Sequence, residues 1–280
     1  MQRIKLVALD LDGTLLNSNK QVTDESRKML YKAAEKGIEI VPCTGRFFGG
    51  MPENVRKFPF LHYAITVNGA SVYDVVEKKE IYSSCIPWEK AIEVIEYIET
   101  LPCPLVYDAY IDNWGWMNRH MQEHVDPFGP DPHYLKMLKT FRTPVENLAD
   151  FIADKKRGVQ KLQIYMLPSE VKAHKAEYMK MISDQFPWLA VTSSVVNNIE
   201  MNYAEANKGA ALMALAEHLG ISREQVAAFG DGSNDLTMIK AAGFGVSMEN
   251  GVPELRDMAE YVTRNNDHEG IAFGFRKFLK

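Results

Sequence analysis

The sequence predicts an α/β fold, a parallel sheet covered by helices on both faces and interrupted by an inserted α/β segment. Short apolar runs alternate with helix-period segments up to about residue 83. After a hairpin that ends at Ser83 the rhythm breaks, and from about 84 to about 190 it gives way to helices, irregular chain and isolated strands. It returns at Lys208 and continues to the last helix.

Ile4 to Leu9 reads as a buried strand. Thr23 is an N-cap with Asp24 and Glu25 in the first turn, and Lys36 with Gly37 closes that helix. Ile38 to Cys43 and Tyr63 to Val67 are further strands, and Ser71 to Ser83 is a hairpin turning at Glu77-Lys78-Lys79. Trp88 to Leu101 is amphipathic, with Ile92, Ile95 and Ile98 at helical spacing. Pro102 to Pro144 is broken by prolines and predicts irregular chain with a short strand or two. Val159–Met166 is a strand, Ser169–Phe186 a helix, and Trp188–Ser194 and Asn198–Asn202 are strands. Gly209–Leu219 is a helix ended by Gly220, and Val226–Phe229 a buried strand running into Gly-Asp-Gly. Ser233–Ala242 (helix), Phe244–Ser247 (strand), Pro253–Ala259 (helix), Tyr261–Thr263 (strand) and Glu269–Leu279 (helix) complete the chain.

Composition narrows the function. The 280 residues suffice for one large domain or two ordinary ones. A net charge of −5 with no dense Lys/Arg tract leaves no electrostatic footprint for nucleic acid. No apolar run is long enough to span a bilayer, and MQRIKLVALD is too short in its apolar stretch for a signal peptide. Cys43, Cys85 and Cys103 are odd in number and scattered, which argues against a disulfide framework and against zinc. A cytoplasmic setting with free thiols is expected, as monomer or homodimer.

Four polar groups fall at predicted strand ends or helix starts, where open α/β sheets bind ligands. The first is Asp10-Leu11-Asp12-Gly13-Thr14. Side chains alternate along an extended chain, so Asp10 and Asp12 are expected to point the same way. Such a pair suits a carboxylate nucleophile beside a proton donor, neutralised by a metal, with Gly13 turning amides toward an anion. A strand followed by an ordinary Asp-Gly turn has the same signature. The last group is Gly230-Asp231-Gly232-Ser233-Asn234-Asp235. Its hard oxygen ligands suit Mg²⁺ and its helix start suits phosphate, although a capped helix with early acids looks alike. Lys208 opens a helix, where the dipole disfavours it, so a phosphate or carboxylate is expected to hold it. Thr44 and the amides of Gly45 and Arg46 follow a strand and suit a phosphate oxygen or simple turn chemistry.

DLDGTLL at 10–16, CTGR at 43–46, VNGA at 67–70, NKGAAL at 207–212 and GDGSND at 230–235 together resemble the haloacid dehalogenase superfamily. The tail AAGFGVSMENGVPELRDMAEYVT followed by NDHEGIA resembles its Cof-type branch with a type-IIB cap. The resemblance implies a Rossmann-like core (1–84 and 190–280), an inserted α/β cap (85–189) and phosphatase activity on small phosphorylated metabolites. It implies Asp10 as nucleophile and Asp12 as acid and base. Thr44, Gly45, Lys208 and Asn234 would hold phosphate. Mg²⁺ would bind Asp10, the backbone carbonyl of Asp12, and Asp231, with Asp235 supporting the metal or Lys208. Glu249 and Gly251 depart from the branch's usual glycine and alanine, in a loop expected at the metal rim. Asp12 argues against carbon–halogen chemistry.

Two further functions are alternatives on the same motifs, in which Asp10, Asp12, Lys208 and Asp231 are all present. A phosphomutase or phosphotransferase would share the intermediate, and an idle phosphate-binding protein would have lost Asp10, Asp12, Lys208 or Asp231. In the insert, Tyr107, Tyr110, Trp114 and Trp116 with Asp112 suit either a sugar-sized pocket or cap core. His120, His124 and His133 match no metal spacing and read as solvated surface. Arg46 suits either a substrate contact or a pairing with a core acid.

Overall fold

The computed structural model describes residues 3–129 and 132–279. The chain forms two compact units, Met1–Ser83 with Ala206–Lys280, and Ser84–Glu205.

The first unit is built on five parallel strands in the order Tyr261–Val262, Phe244–Ser247, Val226–Gly230, Leu6–Leu9, Glu39–Pro42. Alternation along each strand sends its apolar side chains to opposite faces. Val7, Leu9, Ala227 and Phe229 pack with Leu30, Ala33, Ile271 and Phe275 of the helices Asp24–Glu35 and Gly270–Phe275. Leu6, Ala8, Val226 and Ala228 pack with Leu212, Leu215 and Met238 of the helices Lys208–His218 and Leu236–Ala241. Two covered faces explain why these strands are apolar runs rather than alternating ones. Thr23 caps the Asp24–Glu35 helix as expected, accepting from the Ser26 amide.

The Tyr63–Thr66 strand departs from the parallel rhythm. It pairs antiparallel with Ser71–Asp74, which pairs with Lys79–Ser83, and reaches the parallel sheet through one bridge, Cys43 to Ile65. The helix expected from Ser233 starts as a 3-10 turn at Ser233–Asp235. The last helix is shorter than expected: it begins after Glu269, which sits in the left-handed region at φ 61°, and ends at Phe275.

The second unit is a six-stranded sheet in the order Leu189–Thr192, Asn198–Tyr203, Lys161–Met166, Leu105–Ile111, Trp114–Asn118, Arg142–Val145. All pairs are antiparallel except the last. One face packs on the helices Trp88–Glu99, Leu148–Lys155 and Pro168–Gln185 through Tyr107, Ala109, Leu162, Ile164, Ile199 and Met201. The residues between them, Asp108, Tyr110, Lys161 and Glu200, belong to the opposite face and are also buried. They are paired there: Arg142 Nε donates to Asp108 Oδ2 at 2.6 Å, and Lys161 Nζ to Glu200 Oε2 at 2.8 Å. Buried charges persist only when matched in this way.

Three sequence expectations change here. The strands at 189–203 pair with Lys161–Met166 and fall in the second unit, so the chain returns to the first unit near 206, not 190. The stretch after Pro102 is regular, with two strands, the helices Arg119–Glu123 and Pro132–Thr140, and a further strand. Pro144 is tolerated because its strand is the sheet edge. The Leu148–Lys155 helix was not expected, though Asn147 caps it by accepting from the Asp150 amide.

The insert's aromatics are packing residues. Tyr107 is 2% exposed, with its hydroxyl donating to Glu99 Oε1 at 2.5 Å. The Tyr110 hydroxyl accepts from Arg142 Nη2 at 2.8 Å, and Trp116 lies 4.4 Å from Phe151 between ring centroids. Trp114 Nε1 donates to Thr143, and Asp112 pairs with Arg157. His120 and His124 are exposed, as expected for surface; the His133 side chain lies outside the described residues.

Candidate active site

Because the five strands are parallel, their carboxyl ends share one edge of the sheet. Asp10 follows Leu6–Leu9, Thr44 follows Glu39–Pro42, and Asp231 follows Val226–Gly230, all on neighbouring strands. Lys208 enters from the start of its helix, where Asn207 caps the Ala210 amide at 2.8 Å.

Lys208 is the centre of the cluster. Its ammonium is 1% exposed and donates to Asp10 Oδ1 and to Asp235 Oδ1, both at 2.6 Å. The expectation of a carboxylate holding this lysine is met twice. Burial works against the ammonium, but Asp10 and Asp235 outweigh it and hold its pKa well above the ordinary lysine range. The second Asp235 oxygen accepts from the Asp231 and Gly232 amides at 2.9 Å each. Asp235 therefore orients the lysine and fixes the Asp231 loop at once.

The carboxylates respond to burial. Burial raises the Asp10 carboxyl well above its usual range, with Lys208 opposing and Asp235 and Asp231 adding to the rise. Asp231 is pushed up to about 6 by burial and the neighbouring Asp235, against a hydrogen bond from Thr14 Oγ1 at 2.6 Å. Carboxylate oxygens of Asp10, Asp231 and Asp235 lie within 4.8 Å of one another. Three crowded acids with one fixed lysine have more negative charge than they can settle, and a hard divalent cation is the chemical remedy.

Asp12 departs from the extended-strand expectation. The strand stops at Leu9 and turns follow, so the two acids have separate partners. Arg46 grips Asp12 through Nε to Oδ2 at 2.8 Å and Nη2 to Oδ1 at 2.9 Å, and Lys20 Nζ adds a bond to Oδ1 at 2.8 Å. Burial raises its carboxyl, but these two cations outweigh that and lower it to about 2. Arg46 does pair with an acid, one of its two readings. The Asp12 side chain is thereby outside the three-acid cluster.

Thr44 is buried; its hydroxyl accepts from the Arg46 amide at 3.2 Å and its carbonyl from the Asn68 amide at 3.0 Å. Asn234 Nδ2 donates to Asn68 Oδ1 at 3.2 Å. Asn68 sits in a run of positive φ, Val67 at 50°, Asn68 at 58° and Gly69 at 93°. Positive φ at a β-branched valine is an outlier of the kind held at functional sites. A Cβ on Gly45 would lie 2.9 Å from Asn68 Oδ1. The loop with Glu249 and Gly251 does lie beside this edge, since Val252 N donates to the Asp231 carbonyl and Asn250 Nδ2 to the Gly13 carbonyl.

Gly13 answers to two constraints. Its φ is +90°, and a Cβ there would stand 2.3 Å from Asp231 Oδ2. Gly13→Ala should lower stability by about 1–3 kcal/mol and displace Asp231, which denaturant unfolding and metal titration would register together.

Thr14, Lys20 and Asn68 were not singled out from sequence. Only the first and last stand inside recognisable motifs, DLDGTLL and VNGA.

A family model for haloacid dehalogenase-like hydrolases matches residues 7–275. The chain belongs to that family. YxeH of Bacillus subtilis is 30% identical over 98% of each chain. The 5-amino-6-(5-phospho-D-ribitylamino)uracil phosphatase YcsE of the same organism is 28% identical, covering 99% of this chain and 96% of its own. The crystal structure of TM0651 from Thermotoga maritima superposes with a TM-score of 0.80 at 28% identity, covering 98% of this chain and 97% of that one. The protein is thus a haloacid dehalogenase-like hydrolase of the Cof type, and a phosphatase. Hydrolases of this family use a metal ion, and the Asp10, Asp231 and Asp235 oxygens fit one. Among the described residues, no helix is long and apolar enough to cross a membrane.

Proposed function

We propose that the protein is a Mg²⁺-dependent phosphatase of small phosphomonoesters that works through an aspartyl-phosphate on Asp10. The observation that carries this reading is the Lys208 ammonium shared between Asp10 and Asp235, beside a third carboxylate, at the carboxyl edge of the sheet.

Asp10 and Asp231, with Asp235 behind them, would hold Mg²⁺, together with the Asp12 backbone carbonyl. When bound, the ion supplies positive charge that offsets the repulsion between a carboxylate and a phosphate dianion. Lys208 adds its own charge at Asp10 and orients the attacking oxygen. An Asp10 oxygen bonds to phosphorus as the ester P–O bond breaks, and the departing alkoxide takes a proton from Asp12. Water then gives a proton to Asp12 while its oxygen bonds to phosphorus, and the acyl-phosphate P–O bond breaks to free Asp10. Thr44, the Gly45 amide and Asn234 bind the phosphoryl oxygens.

Asp12 rests as a carboxylate on Arg46 and Lys20. It must be released from part of that pairing before it carries a proton. The resting contacts favour the base form needed in the second half.

We assign selection of the leaving group to the inserted unit, which would act as a cap. A phosphorylated ribityl compound is the substrate in the name of YcsE, which supports a small polar phosphomonoester here. Three free cysteines suit a cytoplasmic setting. Phosphate release from a panel of phosphorylated metabolites tests the reading. Release should need Mg²⁺, stop with chelator and recover when Mg²⁺ is restored. Turnover unaffected by chelator would overturn the metal dependence.

A further inference from the structure

We propose that the second unit carries a Zn²⁺ site formed by Cys103, Glu170 and His174, separate from the acid cluster of the first unit. Spacing along the chain gives no hint of it, since the ligands come from a loop and from a helix 67 residues later. The fold supplies what spacing lacks. Glu170 and His174 are four apart on the Pro168–Gln185 helix and so share one face. Cys103 is brought to that face by the loop before the Leu105–Ile111 strand.

The distances suit a metal. Cys103 Sγ is 3.6 Å from Glu170 Oε2, and His174 Nε2 is 3.5 Å from the same oxygen. Ligand bonds of about 2.3 Å for sulfur and about 2.0–2.2 Å for nitrogen and oxygen put tetrahedral ligand atoms about 3.3–3.6 Å apart. All three donor atoms lie within 4.8 Å of one another. One thiol, one imidazole and one carboxylate make a borderline-soft set that selects Zn²⁺ over Mg²⁺.

The donors are also held in place. Tyr178, four residues beyond His174 and 1% exposed, accepts the Cys103 amide on its hydroxyl at 3.2 Å. Its ring stacks on His174, with centroids 5.6 Å apart at 23°. Pro102 and Pro104 stiffen the loop on either side of the thiol. His174 Nδ1 lies 3.7 Å from Glu177 Oε2, so a carboxylate also stands near the ring's other nitrogen. Three protein ligands on a half-exposed face leave a solvent position open, so the site binds zinc exchangeably rather than nucleating the fold.

Co²⁺ is the direct probe, because only a thiolate ligand gives a near-ultraviolet sulfur-to-metal charge-transfer band. Titration of the intact protein with Co²⁺, in excess Mg²⁺ to occupy all-oxygen sites, should develop that band and lose it on adding Zn²⁺. Cys103→Ser should abolish it, and His174→Gln should abolish it while leaving all three cysteines present. Phosphatase activity with Mg²⁺ should be unchanged in both variants, which separates this site from the one at Asp10. No band in the unmodified protein would overturn the site, leaving a thiol–carboxylate hydrogen bond beside an ion pair. A band that survives in either variant would overturn it equally.

Discussion

Asp10→Asn should lower phosphate release by about 10³-fold or more while leaving the fold intact. The amide is nearly isosteric, so the buried position next to Phe229 is refilled. Its oxygen still accepts from Lys208. Burial and the neighbouring acids already disfavour charge at this position, so removing the charge costs no folding energy. The variant should melt at the same temperature as the parent, or slightly above it, in the absence of metal. What it loses is the nucleophile, since an amide oxygen cannot form a stable bond to phosphorus. Its Mg²⁺ affinity should fall as well. Thermal melting with and without Mg²⁺, beside the rate assay, separates these effects, and a variant that keeps its activity would remove Asp10 from the chemistry.

Lys208→Met should damage both stability and activity. Removing one member of a buried charge cluster leaves its partners uncompensated, at a cost of about 3–5 kcal/mol. Here the orphans are two carboxylates, Asp10 and Asp235, each 2.6 Å from the lost ammonium. The Asp10 carboxyl, already raised by burial, would rise further without the ammonium, so the variant binds a proton that the unfolded chain has released. Its deficit should therefore be largest at neutral pH and shrink as pH falls and Asp10 protonates. Denaturant unfolding at neutral and mildly acidic pH checks the sign. A deficit that grows on acidification would contradict the pairing. Turnover should be lost at either pH, because the charge that orients Asp10 and offsets the phosphate is gone.

Most of the site's placement was legible before its geometry. Apolar runs ending in polar clusters mark strand ends, and in a parallel sheet those ends share an edge, so Asp10, Thr44 and Asp231 were expected along it; their adjacency comes from the strand order. A lysine where the helix dipole disfavours it announced its own anions. Partner choice was not legible. Arg46 had two plausible partners, and only the turn after Leu9 decides for Asp12. Lys20 reaches the same carboxylate from a turn held by Asn17, whose side-chain oxygen accepts from the Asn19 and Gln21 amides. Nothing in residue spacing carries that. Strand membership was equally hidden. Residues 189–203 read correctly as strands, but a strand's sequence does not say which sheet will pair with it. The region after Pro102 misled for a different reason: Pro104 directly precedes a strand, Pro132 opens a helix and Pro144 lies on an edge strand, where each interrupts the pattern without interrupting the fold.

The most direct test is to quench the enzyme during turnover of a good substrate with Mg²⁺ and map phosphorylation on the peptide carrying Asp10 and Asp12. Acid-stable trapping by reduction with borohydride would convert an acyl-phosphate at position 10 to homoserine. Modification at Asp10 that depends on substrate and is absent in Asp10→Asn is the expected result. Substrate-dependent modification elsewhere, or steady turnover with Asp10 never modified, would contradict Asp10 as the nucleophile.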